Sequence, residues 1–128
     1  MTCEDFVTGG GSIVGTVVDK ATFGVSGGIK HGEFWGQLSY NDHEKKNGVK
    51  VKSTSITAYI VLDETTRQIE GIAKVNGEGD VAFTVVVSDK GEPGVDDTFS
   101  IELEDGYTAY GILNGGNIQL HKKCNDQN

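Results

Sequence analysis

The stretch Ser88-Asp-Lys-Gly-Glu-Pro-Gly-Val-Asp-Asp-Thr-Phe-Ser-Ile101 decides the fold class of this chain. It contains the single proline, Pro93, in a turn between two runs in which apolar and polar residues alternate. The apolar positions of these runs are Val81, Phe83, Val85 and Val87 before the turn and Phe99, Ile101 and Leu103 after it. A period of two is typical of β-strands with one buried face. The stretch therefore indicates an all-β protein in which this proline loop, residues 89–97, connects two strands.

The rest of the sequence repeats the same pattern of short strands and tight turns. Asn47-Gly48, Asn76-Gly77 and Asp105-Gly106 are hairpin signals, because their residues tolerate the positive φ angles that two-residue turns need. In the run 49–62 the apolar residues change from odd to even positions near residues 53–55. Since side chains alternate along a strand with a period of two, this change predicts a β-bulge.

Roughly nine short strands are predicted in all, and Asn114-Gly115-Gly116 is interpreted as the turn before the last one. Short connections make neighbours in sequence pair with each other, which gives an antiparallel meander. We predict that this sheet closes into a small barrel to bury its apolar face; a two-layer β-sandwich is the alternative. The 128 residues suit one domain, 1–128, with residues 1–11 as a flexible entry and 122–128 as a polar tail.

The composition disfavours two classes of partner. A net charge of −8 does not suit a nucleic-acid-binding protein, because phosphates require a basic surface. The same charge disfavours an anionic membrane surface, and no apolar run has the length needed to cross a bilayer. We therefore expect no nucleic acid partner and no membrane insertion.

The two cysteines, Cys3 and Cys124, lie near opposite ends of the sequence. The ends of a closed domain often lie close together, so these residues are a candidate disulfide; two unpaired thiols are the alternative. A disulfide favours an oxidising compartment. Residues 1–6 do not have the pattern of a signal peptide, so we expect either a cytosolic protein or a sequence that starts after a removed leader.

Four carboxylates of the proline loop form a candidate calcium site. They belong to Asp89, Glu92, Asp96 and Asp97, and Gly91 and Gly94 allow the chain to curl around an ion. Calcium prefers six to eight oxygen ligands from flexible loops, although the spacing is not that of an EF-hand. The favoured alternative is a structural turn in which Asp97 accepts hydrogen bonds from loop amides.

Aromatic side chains form a second candidate site, for a small ligand or a carbohydrate. The residues are Trp35, Gln37, Tyr40, Tyr59, Tyr107 and Tyr110. If Phe34, Leu38 and Tyr40 point into the barrel, Trp35 points outward beside Gln37 and Asn41. The alternative is a barrel filled by its own side chains, with Trp35 covered by the N-terminal segment.

The sequence contains no arrangement of residues that indicates catalysis. Asp42-His43 and the serines near residue 54 lack the GxSxG pattern of a nucleophile elbow, so a structural role in a turn or strand pair is favoured. A metal site from His31, His43 and His121 would require three distant segments to converge. We therefore predict no catalytic residue and no required cofactor.

A set of motifs, in order along the chain, resembles a known family. They are Ala21–Val25, Gly36–His43, Val51–Thr57, Val75–Gly77, Phe83–Val87, Asp89–Gly94, Asp97–Ile101, Gly106-Tyr107 and Gly115–His121. From about Gly9 to Lys122 the chain resembles the post-COAP-type all-β modules of bacterial secreted and cell-surface proteins. It departs from them in its terminal cysteines and in Ser12, where an aromatic residue is common. The resemblance implies an extracellular accessory module of no established activity.

The sequence therefore predicts a non-catalytic extracellular module for adhesion, spacing or protein–protein contact, secreted or held at the cell surface. The alternative is a β-barrel that binds a small ligand or a carbohydrate at its mouth or at the Trp35 face.

Overall fold

A computed structural model of the chain describes residues 2–13, 20–30, 32–42, 48–90 and 97–125, with the backbone alone for 2–4 and 122–125. These residues form eight β-strands. The strands are β1 (Thr2–Ile13), β2 (Ala21–Lys30), β3 (Glu33–Asp42), β4 (Lys50–Val61), β5 (Thr66–Val75), β6 (Glu78–Ser88), β7 (Thr98–Leu103) and β8 (Thr108–Asn125). Over the described ranges there is no helix with the length and hydropathy to cross a bilayer.

The strands form a closed antiparallel barrel in sequence order. Each strand pairs with the next, and β1 pairs with β8 to complete the ring. The start of β1 and the end of β8 therefore lie at one end, which we call the terminal end, together with the last residues of β2, β4 and β6. The opposite end of the strands is the loop end. The predicted all-β meander and barrel closure are confirmed, and the sandwich alternative is wrong.

The strands differ from the prediction at both ends of the sequence. The predicted flexible entry, residues 1–11, is wrong for residues 2–11, which belong to β1, and the predicted polar tail is strand as far as Asn125. Asn114-Gly115-Gly116 is not a turn, because β8 continues through it with a shift in its register against β1. Two predicted strands therefore merge into β8, and the barrel has eight strands rather than nine.

The glycines of β1 allow the barrel to close between β1 and β8. They do not mark a flexible entry. Gly11 pairs with Gly116 across the β1–β8 contact. A Cβ atom on Gly11 would lie 2.1 Å from the Gly115 carbonyl oxygen, and one on Gly116 would lie 2.0 Å from the Gly10 oxygen. Gly116 also has a φ of 96°, which disfavours any side chain there. Close backbone approach therefore explains residues that suggested a loop.

Other local predictions are confirmed. Asn76 and Gly77 have φ angles of 54° and 81°, as a two-residue hairpin requires. The β4–β5 register shifts between Ser53 and Ser55, where the bulge was predicted, and again between Ile56 and Ala58. Asn47 lies outside the described residues.

Apolar side chains fill the barrel interior. Among the described residues, twenty buried hydrophobic side chains form a single core cluster, and the rings of Phe23 and Phe99 stack within it with centroids 4.0 Å apart. Tyr40 stacks against Phe99 at 5.9 Å. Burying one large apolar side chain contributes about 1.5–3 kcal/mol, so this core is the main source of stability.

The β1–β8 register predicts a disulfide. Cys3 and Cys124 are direct partners across the two strands. Opposite residues of an antiparallel pair have Cα atoms about 4.5–5.5 Å apart, which is within the range for disulfides. We expect the oxidised protein to be two hydrogens lighter than the reduced one, and reduction to lower the melting temperature. Closing so long a loop contributes up to about 4–5 kcal/mol.

The double variant Cys3→Ser/Cys124→Ser is the control for this experiment, because a reductant should leave its melting temperature unchanged. Alkylation of both thiols in the air-oxidised native protein would contradict the disulfide.

Candidate functional site

Two carboxylates of the proline loop complete the edge of β8. Strand β7 starts at Thr98, so β8 beyond Leu113 has no β7 residue beside it. The amide of Ile118 donates to Asp97 Oδ2 and the amide of Leu120 donates to Asp89 Oδ2, each at 2.9 Å. These side chains therefore occupy the place of the strand carbonyls that β7 would supply.

Asp97 has both carboxylate oxygens engaged in the fold. Its second oxygen accepts the Lys90 amide at 2.8 Å, and the residue is fully buried. These contacts agree with the structural turn that the sequence favoured over an ion site. Glu92 and Asp96 lie outside the described residues, and the described residues hold no group of three metal-ligating side chains. The calcium site stays a prediction.

An ion pair between buried Arg67 and half-buried Asp5 lies at the terminal end of the barrel. Arg67 is 1% exposed and donates from Nε and Nη2 to the two carboxylate oxygens of Asp5, at 2.8 and 2.9 Å. Its Nη1 donates to the carbonyls of Asp63 and Thr66, and the Tyr59 hydroxyl donates to Asp5. The hydrogen bond to Asp5 raises the pKa of the guanidinium.

Two tyrosines and an aspartate close the loop end. Tyr107 donates to Asp42 Oδ2 at 2.7 Å, and the hydroxyls of Tyr40 and Tyr107 lie 2.6 Å apart. Because Tyr107 uses its hydrogen on Asp42, Tyr40 is the donor of the second bond. Burial raises the pKa of Tyr40 to about 12 and, with hydrogen bonds to Tyr40 and Asp42, raises that of Tyr107. These hydroxyls therefore bond to each other and to Asp42.

An aromatic cluster of Phe6, Trp35 and His121 lies on the outer wall. The Phe6 ring stacks on His121 with centroids 4.4 Å apart and tilts against Trp35 at 5.7 Å. Gly28 pairs with Trp35 and leaves room for Phe6, because a Cβ atom there would lie 2.5 Å from Phe6 Cβ. Trp35 is thus half-buried under the first strand, as the alternative predicted, beside an exposed Gln37.

The predicted ligand residues do not converge on one site. Tyr40 and Tyr107 meet at the loop end, whereas Tyr59 is buried at the terminal end. Trp35 and Gln37 lie on the outer wall of β3, and Tyr110 is 65% exposed on β8. Phe34 is 44% exposed at the terminal end. His31 and His43 lie outside the described residues.

The barrel wall is incompletely paired between β3 and β4. The ladder has three residue pairs and ends at Ser39–Lys52. There the amide of Leu38 donates to Ser53 Oγ at 2.8 Å instead of to a strand carbonyl. Beyond this point no ladder pair joins residues 33–37 to residues 54–61 in the described part of the chain. We call these two facing edges the β3–β4 seam.

Exposed apolar side chains flank the seam. Phe34 on β3 and Ile60 and Val61 on β4 are 44%, 38% and 56% exposed. Near the closed end of the seam, Lys52 lies in an outer groove with Gly24, Gln37 and Ser53. Unpaired edges next to apolar side chains are the feature that proteins usually avoid unless a partner covers them. This makes the seam the candidate functional site.

Sequence reasoning missed the seam and the Asp5–Arg67 pair. Arg67 has a usable signal, because it stands two residues before Ile69 in an alternating run and so shares its buried face. The sequence signal for the seam is weaker. The bulges of β4 were visible in the sequence, but their effect on the pairing with β3 was not.

Asp97→Asn should destabilise the fold. The amide nitrogen of asparagine would face an N–H donor, so one buried amide would lose its acceptor at a cost of about 1–3 kcal/mol. Chemical denaturation should show this loss. Asp80→Asn is the control, since Asp80 is exposed and pairs with Lys74 at the surface. A melting temperature that rises with calcium and falls with a chelator would instead support the ion site.

Stability should decrease above pH 10. The pKa of Tyr40 is about 12 in the fold against an ordinary value of 10.0. The protonated Tyr40 hydroxyl therefore contributes its full stabilisation below pH 10. This contribution is lost as the pH rises towards 12, because Tyr40 ionises in the unfolded chain at a lower pH than in the fold. Denaturation at several pH values, with tyrosinate absorbance, measures this. Tyr40→Phe should show a shallower decline, and an equal decline in both proteins would contradict the assignment.

Comparisons with known proteins give no family. No protein-family model, curated protein or solved structure matches this chain. The resemblance to post-COAP-type modules therefore stays a prediction, and the geometry of the barrel carries the argument about function.

Proposed function

We propose that this protein is a non-catalytic extracellular accessory module that contacts a partner protein through the outer surface of its barrel. The observation that carries the proposal is the filled interior. Phe23, Phe99 and Tyr40 stack across the barrel where a ligand-binding barrel has its chamber. A protein built in this way has its outer wall available for binding.

The hydrogen-bonded carboxylates of the barrel support a non-catalytic role. The carboxylates of Asp5, Asp42 and Asp97 accept hydrogen bonds from Arg67, Tyr107 and backbone amides. Catalytic groups instead need access to a substrate and a partner positioned for proton or group transfer. These carboxylates have structural partners on the interior side of the wall.

An extracellular location is supported by the two cysteines and by the resemblance. Cys3 and Cys124 are opposite each other in the strand pair that closes the barrel, which suits an oxidising compartment. The post-COAP-type motifs point to the same location.

Selection from a random peptide library on the immobilised protein tests the proposal. We expect enrichment of peptides that share a pattern and compete with one another for binding. Heat-denatured protein is the control for non-specific adsorption. Failure to enrich any competing set, together with turnover of a substrate or binding of a carbohydrate, would contradict it.

Carbohydrate binding at the aromatic cluster is the second candidate function. Trp35 is half-buried on the outer wall and lies beside an exposed Gln37, an arrangement that suits the flat face of a sugar ring. A glycan array that gives a signal with the native protein, lost in Trp35→Ala and kept in Tyr110→Ala, would favour this function over protein contact.

A further inference from the structure

We propose that the outer surface of β8, β1, β2 and β3 binds an uncharged polysaccharide chain. The inference rests on the second candidate function and extends it from the aromatic cluster to a whole face of the barrel. The β3–β4 seam and the strands beyond it remain available for the partner protein of the proposed function. We call the outward side chains at residues 6–12, 22–28, 35–41 and 117–121 the uncharged face.

The uncharged face differs in charge from the rest of the outer wall. Its side chains alternate with buried core residues, and none of these outward residues, all of which the structure describes, is Asp, Glu, Lys or Arg. The nearest charged pair on β2 and β3, Lys30 and Glu33, lies beyond the face at the terminal end. Each of the strands β4 to β7 has outward charged residues, for example Lys52, Glu70, Asp80 and Glu102. In a chain with a net charge of −8, a face without charge favours a neutral ligand.

An aromatic row forms one border of the face. His121, Phe6 and Trp35 lie in register across β8, β1 and β3, with Gly28 of β2 between the last two. The rings contact one another and are half-buried, so part of each ring reaches solvent. A sugar ring has an apolar face of C–H groups, which packs well against aromatic rings. This row therefore supplies the apolar contact that a sugar requires.

A row of hydrogen-bonding side chains lies next to the aromatic row. Gln119, Thr8, Ser26 and Gln37 are in register across the same four strands. The two glutamines are exposed, and Thr8 and Ser26 are half-buried between them. Thr8 Oγ1 lies 3.0 Å from Nε2 of His121, which joins this row to the aromatic one. Amides and hydroxyls both donate and accept hydrogen bonds, as sugar hydroxyls do, so this row suits a ligand with many hydroxyl groups.

Glycine lowers the wall beside the second row. Gly10 and Gly24 are direct partners on β1 and β2. A Cβ atom on Gly24 would have no atom within 4 Å, and its φ is not positive, so neither crowding nor the backbone requires glycine there. The groove over Gly24 and Gln37 has a volume of about 320 Å³ and ends at Lys52 of β4. A strand glycine with open space above it is typical of a place where a ligand approaches the backbone.

The dimensions of the face indicate a chain rather than a single sugar. Neighbouring strands lie about 4.8 Å apart, so each row spans roughly 14 Å from β8 to β3. One sugar ring covers only part of this length, whereas an extended chain lying across the strands contacts every residue of a row. The negative charge of the whole protein repels an anionic polysaccharide, and the face has no lysine or arginine to attract one. The ligand class is therefore a neutral, extended polysaccharide.

Neutral β-linked hexasaccharides of glucose, mannose and N-acetylglucosamine are the probes. We expect at least one of them to bind the native protein and to change the fluorescence of Trp35, the single tryptophan. Because the face has no charge, binding should not depend on the salt concentration. The matching single sugars should bind far more weakly. A hexasaccharide oxidised so that it carries carboxylates should not bind.

Gly24→Val separates ligand binding from folding. A Cβ atom has room there and valine suits a strand, so the melting temperature should stay the same or rise. The same side chain would occupy the groove and should weaken hexasaccharide binding by about tenfold or more. Ala82→Val adds the same bulk to the outer surface of β6 and should leave binding unchanged.

Gln37→Met and Gln119→Met remove an amide and keep the length of the side chain. Each should weaken hexasaccharide binding by about threefold or more, because hydrogen bonds to the sugar are lost. Gln68→Met on β5 is the matched control and should bind as the native protein does. Circular dichroism checks that each variant is folded.

The possible results separate this inference from the other proposals. Failure of all three hexasaccharides to bind would overturn it, as would binding only of the oxidised form or binding that Gly24→Val and the glutamine variants leave unchanged. If only Trp35→Ala abolishes binding, the second candidate function survives at the aromatic cluster without the wider face. None of these results decides protein contact, which the peptide selection tests separately.

Discussion

The structure depends on the pairing of the first strand with the last. A meander of eight strands with one apolar face is stable only if that face is covered, and closure covers it without a second layer. The β1–β8 contact requires backbones to approach more closely than side chains allow, which glycine at residues 11 and 116 permits. Once the ring is closed, the inward residues of every strand form one core, and the barrel has neither a free first strand nor a free last one.

Closure of the barrel also determines the role of the polar side chains on its inner face. Asp5 enters the barrel only because β1 is a strand of it, and there it neutralises Arg67, whose burial would otherwise be very unfavourable. The shortness of β7 leaves part of β8 without a strand on that side, and Asp89 and Asp97 supply the missing acceptors. These two residues of the proline loop thus complete the hydrogen bonding of the sheet.

Sequence patterns were informative wherever the signal was local. The alternation around residues 81–87 and 99–103, the Asn76-Gly77 hairpin and the bulge near Ser53 were all visible, because each depends on residues a few positions apart. Gly9–Gly11 was misread as a flexible entry because glycine marks both loops and close backbone contacts. The candidate site was not predictable, since the extent of pairing between β3 and β4 depends on how the bulged strand β4 lies against its neighbour.

Composition and a period of two are enough to establish that the protein is all-β, that its strands follow one another in a meander and that it is acidic. Which residues share an end of the barrel depends instead on the folded chain. Tyr40 meets Tyr107, and Asp5 meets Arg67, across separations of 67 and 62 residues. The closed ring also fixes where the β3–β4 ladder ends, because the register of one strand pair depends on the twist and closure of the whole ring.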